Sequence, residues 1–469
     1  MLAIASVLVA ATLGIWLPGR PPGRALPSPQ ANFLVPPEKA PLRVIVYVID
    51  ALKPDHLDAY GYKRTTAPTL SQVAREGVRF TRCFSNSTWS LASIRSLFVG
   101  MHGAAYRRDS PPPKVPESLD MLPEFLQRAG LRTGIVSENI FVSSRYGMTQ
   151  GFDFLGDAYA HLESSSATDT GHRKLNMPTL DHLDAFLKES GKDSFFLYVH
   201  TMEPHAPLVI PDSAPPLYSA GSTPKEDLTG WYDSAVRWAD TNLALFIELL
   251  NKYDLYDDTL LIVTADHGES LYPGESGGIH RGPPLPDRTH IPLIIRCPGM
   301  ARAGSVITEN VQLLDIAPTI FNALRMTIPA QYQGRSLVRL LVDGNDDSLR
   351  SRPIVAAGEG MKGQAIVLGD WYYFRAQGNE HLYGIAGSVV DGTDRLDDNR
   401  ALATTMRELA DSHIREHQQA YENHLATAAG GIQRVIEGIR GVVADKEQGE
   451  SSPESDHKHI EALKALGYL

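Results

Sequence analysis

Short apolar runs, each ending abruptly in polar residues, recur along the first two thirds of the chain. RVIVYVID (Arg43 to Asp50), LRTGIVSEN (Leu131 to Asn139), SFFLYVHTMEPHAPL (Ser194 to Leu208) and TLLIVTADHGES (Thr259 to Ser270) share this plan. An unbroken β-branched and aromatic run suits a strand covered on both faces, as in a parallel sheet. Between the runs the spacing changes. In WYDSAVRWADTNLALFIELLNKY, residues Ala235, Val236, Ala239, Leu243, Phe246, Ile247 and Leu250 fall on one face of a helix. Strands alternating with helices predict an α/β fold: a large, mainly parallel sheet flanked by helices. Ligands of such sheets bind beyond the carboxyl ends of the strands. Asp50, Asn139, His200, His205, Asp266 and His267 are therefore expected along one edge.

Past residue 350 the texture differs. IVAAGE, QAIVLGDWYYFRAQ and EHLYGI predict a small antiparallel sheet, followed from about residue 400 by a polar helical tail. Within that tail DKEQGESSPESDHK has the composition of a disordered linker. At the other end, Leu2 to Leu17 is uncharged and apolar and leads into PGRPPGRALPSPQ, which cannot pack. That pairing reads as an export signal or a short membrane anchor and places the protein outside the cytoplasm, periplasmic, extracellular or membrane-anchored. The expected organisation is a signal or anchor and linker over 1–41, a catalytic domain over 42–350, and a small sheet with a helical tail over 351–469.

The formal charge of −11 on 469 residues, with no block of Lys and Arg, argues against nucleic acid or an anionic membrane as partner. An anionic ligand must then be held by a local site. Cys83 and Cys297 lie far apart and match neither a zinc motif nor a disulfide framework.

Candidate chemistry collects in four places. In STWSLASIRSLFVG (Ser87 to Gly100), Ser90 stands just ahead of an apolar helical run, the position of a helix cap or of a nucleophile. TADHG sets the Asp266 oxygen and His267 nitrogen donors side by side, with Gly268 letting the backbone turn, and Asp50 adds a second carboxylate. Together these residues could hold a divalent cation; DHG alone equally fits a capped turn. His205, in MEPHAP, is held between prolines in a rigid loop. His280 and Arg281, in GGIHRGPP, occupy a loop suited to contacting an anion.

Across residues 43–469 the chain resembles the sulfatase family of the alkaline phosphatase superfamily. The resemblance is carried by VIVYVIDALKPDHLDAYGY, GMTQGFDFL, FFLYVHTMEPHAPL, YDDTLLIVTADHGESL, IPLIIRCPG, LLDIAPTI with GRSL after it, and the terminal LKALGYL, in that order. It implies that Asp50, Asp266 and His267 ligate a metal, calcium by resemblance with manganese, magnesium and zinc open. It further implies that Ser90 is the nucleophile, that His205 contacts substrate, and that His280 or Arg281 binds it; Asn139, on the same sheet edge, is also expected to bind substrate. The implied reaction is hydrolysis of a small anionic ester, foremost a sulfate ester such as a sulfated carbohydrate.

Two departures from the family pattern bear on the chemistry. Family sulfatases oxidise the first residue of a CxPxR or SxPxR segment to formylglycine, whereas here Ser90 is followed by Leu91, Ala92, Ser93 and Ile94, with Arg95 one place late. Ala51 stands where many sulfatases have a second acid. A formylglycine hydrate clears its own sulfate by collapsing to the aldehyde, while a plain serine sulfate is a stable ester. Plain serine suits phosphoryl chemistry, so a phosphodiesterase or phospho-group transferase is the alternative. A binding protein on a degenerate sulfatase scaffold is a third reading, opposed by the intact Asp50, Asp266, His267 and His205.

Overall fold

The computed structural model describes residues 43–102, 114–157, 177–206, 208, 218, 224–271, 282–299, 302–358, 363–386 and 389–439. The Leu2 to Leu17 run with its linker, DKEQGESSPESDHK, LKALGYL, His280 and Arg281 lie outside these residues. No helix among the described residues is long and apolar enough to cross a membrane.

The four predicted strands form, as β1 (Arg43–Ile49), β3 (Arg132–Ser137), β5 (Phe195–Thr201) and β6 (Thr259–Thr264). The structure adds five that the pattern did not single out: β2 (Val78–Phe84), β4 (Phe154–Asp157), β7 (His290–Arg296), β8 (Val306–Ile307) and β9 (Val311–Gln312). Together they make one sheet in the order β4-β3-β5-β1-β6-β7-β2-β8, with β9 also paired to β2. All run in the same direction except β7, which is antiparallel to both β6 and β2. The fold is thus α/β with a large, mostly parallel sheet, as the alternating pattern predicts. Every residue of β1, β5 and β6 is buried, which is why these runs lack a polar face.

The helix Pro224–Lys252 lays Ala235, Val236, Ala239, Leu243, Phe246 and Leu250 into the core, with Ile247 partly buried beside them. The carboxyl ends of β1, β5 and β6 are level: Val48 pairs with His200 on one side and Thr264 on the other. Residues just past these positions therefore emerge together.

Beyond the large sheet, β10 (Ile354–Ala357), β11 (Gln364–Leu368), β12 (Trp371–Ala376), β13 (Asn379–Ala386) and β14 (Val389–Val390) form a five-stranded antiparallel sheet. Its strands alternate. Val355, Ile366, Tyr373 and Leu382 pack with Ala403, Met406, Ala410 and Ile414 of the helix Arg400–Ile439. The opposite face, with Ile354, Val367, Tyr372 and Phe374, packs on Phe84 of β2.

Two motifs of the resemblance are architectural. Asp315, in LLDIAPTI, is fully buried and receives both Arg352 guanidinium nitrogens at 2.7 and 2.6 Å and the backbone N–H groups of Arg335, at 2.8 Å, and Gln312, at 3.0 Å. Gly334, which opens GRSL, lies so close to Leu314 that a Cβ would sit 1.9 Å from its carbonyl oxygen. LLDIAPTI and GRSL therefore dock on each other, and through Arg352 they fix the chain just before it enters the small sheet.

Candidate functional site

Asp50 leaves β1 at the sheet edge, its N–H donating to the Thr201 carbonyl at 2.9 Å. The next residue, Ala51, adopts φ 59°, a left-handed conformation that costs a residue with a Cβ roughly 1 kcal/mol. Both of its peptide groups are held: the N–H donates to Asp266 Oδ1 at 3.3 Å, and the carbonyl accepts the Tyr232 hydroxyl at 2.7 Å. The sharp turn aims the Asp50 carboxylate back over the sheet edge. There Asp50 Oδ2 accepts from Asn139 Nδ2 at 2.7 Å and lies 3.2 Å from His200 Nε2.

Asp266 follows β6 and faces Asp50. Its Oδ1 accepts the His267 backbone N–H at 2.8 Å. The His267 ring donates from Nδ1 to the Gly268 carbonyl at 2.8 Å, which turns Nε2 toward the carboxylates, 3.6 Å from Asp266 Oδ2 and 3.7 Å from Asp50 Oδ1. Gly268 is needed for a reason the motif did not suggest. Its φ is not left-handed; instead a Cβ there would meet the Asp287 carbonyl oxygen at 2.2 Å.

Ser90 opens the buried helix Ser90–Val99. Trp89, with extended backbone, occupies the cap position and makes no side-chain cap bond, so Ser90 is the first helical residue and not the cap. Its hydroxyl lies 3.2 Å from His267 Nε2 and 3.4 Å from Asp50 Oδ2, at the positive end of the helix dipole. Ile94 is buried in the main core. Arg95, one place further on, is buried as well.

His205 is buried, its ring centroid 6.3 Å from that of His267. Burial alone would raise the Asp50 carboxyl, but the positive charge of His205, the His200 hydrogen bond and the charge of His267 outweigh it and hold Asp50 well below the usual carboxylate range. Burial and the Asp50 charge raise Asp266. Burial lowers His267, yet Asp266 and Asp50 overcome it and lift the imidazole to about 9. This is a cluster of like and unlike charges out of water, the arrangement in which a cation is the natural missing partner.

Two carboxylate oxygens fit that reading. Asp50 Oδ1 and Asp266 Oδ2 are buried with no hydrogen-bond donor among the described residues. Ligand atoms of Asp50, His200 and Asp266 all lie within 4.8 Å of one another.

A sequence model of the sulfatase family matches residues 43–326. The chain belongs to the sulfatase family. Among its relatives in that family, an arylsulfatase of Hemicentrotus pulcherrimus is 24% identical over 364 residues, covering 66% of this chain and 63% of that one. N-acetylgalactosamine-6-sulfatase of Homo sapiens is 25% identical over 366 residues, 67% of this chain and 68% of the relative. The phosphonate monoester hydrolase of Agrobacterium radiobacter shares the fold with a TM-score of 0.65 at 19% identity, over 80% of this chain and 96% of its own.

Of the residues singled out in this sulfatase-family sequence, Asp50, Ser90, Asn139, His205, Asp266 and His267 meet at one place, and His280 and Arg281 lie outside the described residues. Asn139, expected to bind substrate, is engaged with the cluster itself: its amide nitrogen holds Asp50, and its Oδ1 accepts the Phe141 N–H at 2.9 Å. His200, which the sequence placed at the edge without a role, is a full member of the cluster. Its signal was a single polar side chain next to the end of an otherwise apolar and aromatic strand.

Proposed function

We propose that the protein is an exported, metal-dependent hydrolase of sulfate esters, with attack by the group at position 90. The observation that carries this reading is the Ser90 hydroxyl, set on the first residue of a buried helix within 3.2 to 3.4 Å of His267 and Asp50, beside two unpartnered carboxylate oxygens. A divalent cation held by Asp50, Asp266 and their flanking imidazoles would supply the positive charge that draws an ester anion in and favours the ionised nucleophile. The hydroxyl on residue 90 loses its proton to water, and its oxygen bonds to sulfur as the bond from sulfur to the bridging oxygen breaks. The departing alcohol oxygen takes a proton from His205. With formylglycine at position 90, His205 regains the proton it gives up from the second hydroxyl of the hydrate, which then expels sulfate by collapse to the aldehyde, and water restores the hydrate.

The names of the relatives, arylsulfatase and N-acetylgalactosamine-6-sulfatase, support an aryl or carbohydrate sulfate as substrate. The apolar Leu2 to Leu17 run supports export. A second reading, phosphoryl transfer through unmodified serine, is favoured by Ala92 and by Ile94, an apolar residue buried in the core at the fifth position of the segment.

The deciding experiment is the mass of the tryptic peptide from Cys83 to Arg95, taken from protein made in its native host, alongside assays on paired chromogenic sulfate and phosphate esters. Loss of two hydrogens at residue 90 with sulfate release is the expected result. Unmodified serine with turnover of phosphate esters alone would replace the sulfatase reading with the phosphoryl one. Ser90→Ala should abolish turnover on either substrate, and full activity in that variant would refute the nucleophile assignment.

A further inference from the structure

We propose that His200 is a metal ligand, standing in for the carboxylate that Ala51 cannot provide, and that the resulting site selects zinc or a neighbouring first-row divalent ion over calcium. The inference rests on reading this cluster as a metal centre, and it concerns which ion the centre takes.

Ala51 follows Asp50 directly and supplies no side-chain oxygen, and its backbone N–H and carbonyl are committed to Asp266 and Tyr232. The further donor that the fold brings to the two carboxylates is an imidazole. His200 is fully buried at the carboxyl end of β5, next to β1, so its ring reaches over the sheet edge where Asp50 turns back. Its Nε2 lies 3.2 Å from Asp50 Oδ2 and 3.9 Å from Asp266 Oδ2. His267 Nε2 reaches the same two carboxylates at 3.7 and 3.6 Å. Ligands around a tetrahedral ion with bonds of ~2.0–2.1 Å stand about 3.3 Å apart. Ligand atoms of Asp50, His200 and Asp266 all lie within 4.8 Å of one another, so these three can close on one ion, and His267, within 3.7 Å of both carboxylates, is the nearest further imidazole.

The donor set argues for the ion. Calcium takes six to eight oxygens, and imidazole is a poor ligand for it. Paired imidazole nitrogens with carboxylates suit zinc and its first-row neighbours. Two of the oxygens nearest the cluster already accept hydrogen bonds: Asn139 Oδ1 from the Phe141 N–H and Asp266 Oδ1 from two backbone N–H groups.

The outer partner of His200 is in place as well. Tyr198 Oη lies 2.9 Å from His200 Nδ1, on the ring edge away from the carboxylates. Donation from Nδ1 to this oxygen would leave Nε2 free to bind a cation in place of its hydrogen bond to Asp50, the arrangement in which a neighbour fixes the tautomer of a ligating histidine.

The test reads metal binding, independent of turnover. Full-length protein stripped with a chelator is dialysed against equimolar calcium, manganese and zinc, and bound metal is measured by mass spectrometry, with Co²⁺ titration followed by visible absorption. The expected result is about one transition-metal ion per chain, little calcium, and strong tetrahedral Co²⁺ bands. His200→Ala should weaken zinc binding by at least 100-fold, and His200→Asp should move the preference toward calcium. Tyr198→Phe, which leaves all four ligands, should weaken zinc binding by roughly 10-fold. Thermal melts of the stripped proteins establish that each variant folds. Should His200→Ala misfold, the Tyr198→Phe affinity and the wild-type metal content decide the matter. Calcium retained in preference to zinc and manganese, or zinc affinity unchanged in folded His200→Ala, would overturn the proposal. Selective zinc uptake by a protein that turns over no ester would instead sink the proposed hydrolysis and leave this inference standing.

Discussion

Replacing His102 with glutamine should make the protein markedly less sensitive to acid. His102 is fully buried where β10 meets the helix Arg400–Ile439, its Nε2 donating to the Val355 carbonyl at 2.6 Å. From the helix, His417 stacks on it at 5.6 Å and His413 meets it edge-on at 5.7 Å, while Arg352 adds positive charge beside His413. Burial lowers the His102 imidazole from an ordinary 6.5 to about 4. Between those values the unfolded chain binds the proton and the folded chain does not. The contribution is therefore fully present above pH 6.5 and is lost as pH falls toward 4. Integrated over this window, the loss for His102 alone is roughly 2 kcal/mol by pH 5. Urea unfolding followed by tryptophan fluorescence at pH 7.5 and pH 5 measures it as a difference of differences, in which groups remote from His102 cancel and the relief of His413 and His417 from its charge acts in the same direction. The Val355 carbonyl keeps the Asn86 side-chain amide at 3.0 Å, so the substitution does not orphan it. Wild type should lose about 2 kcal/mol more than His102→Gln between the two pH values. Equal losses would show that protonation of His102 does not separate the folded from the unfolded state.

Three further predictions follow from contacts near the site and its supports. Asp315→Ala should destabilise the fold by about 3–5 kcal/mol, because it strands the buried Arg352 guanidinium and two backbone N–H groups, and calorimetry or urea unfolding will read the loss. Gly268→Ala should cost roughly 1–3 kcal/mol and weaken metal uptake, since the added Cβ drives the loop carrying His267 off the Asp287 carbonyl; an unchanged melting temperature would count against the packing argument. Ala51→Gly should leave stability unchanged or raise it by up to about 1 kcal/mol, by relieving the left-handed strain, and a loss above 1 kcal/mol would show that the turn is not strained.

The apolar runs were legible because strands covered on both faces need continuous hydrophobic sequence, and β1, β5 and β6 have it. The small antiparallel sheet and the long helix after residue 400 were legible for a related reason, since each alternates or repeats with its own period. Asp50, Asp266 and His267 could be placed at one edge by a rule about parallel sheets, without any knowledge of distances. Ser90 was ambiguous between cap and nucleophile. One residue of register decided it, because the cap fell on Trp89 and the serine hydroxyl was left to face Asp50 and His267.

By itself, the sequence determined four strands of the large sheet, the sheet type, the edge on which the polar residues gather and the family to which the chain belongs. These follow from local periodicity and from short motifs that each lie within one stretch of chain. Only the tertiary structure decided that His200 joins Asp50 and Asp266, that Asn139 holds a carboxylate, and that Gly268 serves a close approach to Asp287 and not a turn. Each of these depends on the register between segments far apart in sequence. Pairing of Val48 with His200 and Thr264 sets which side chains share a space a few ångströms across, and no local pattern encodes that distance.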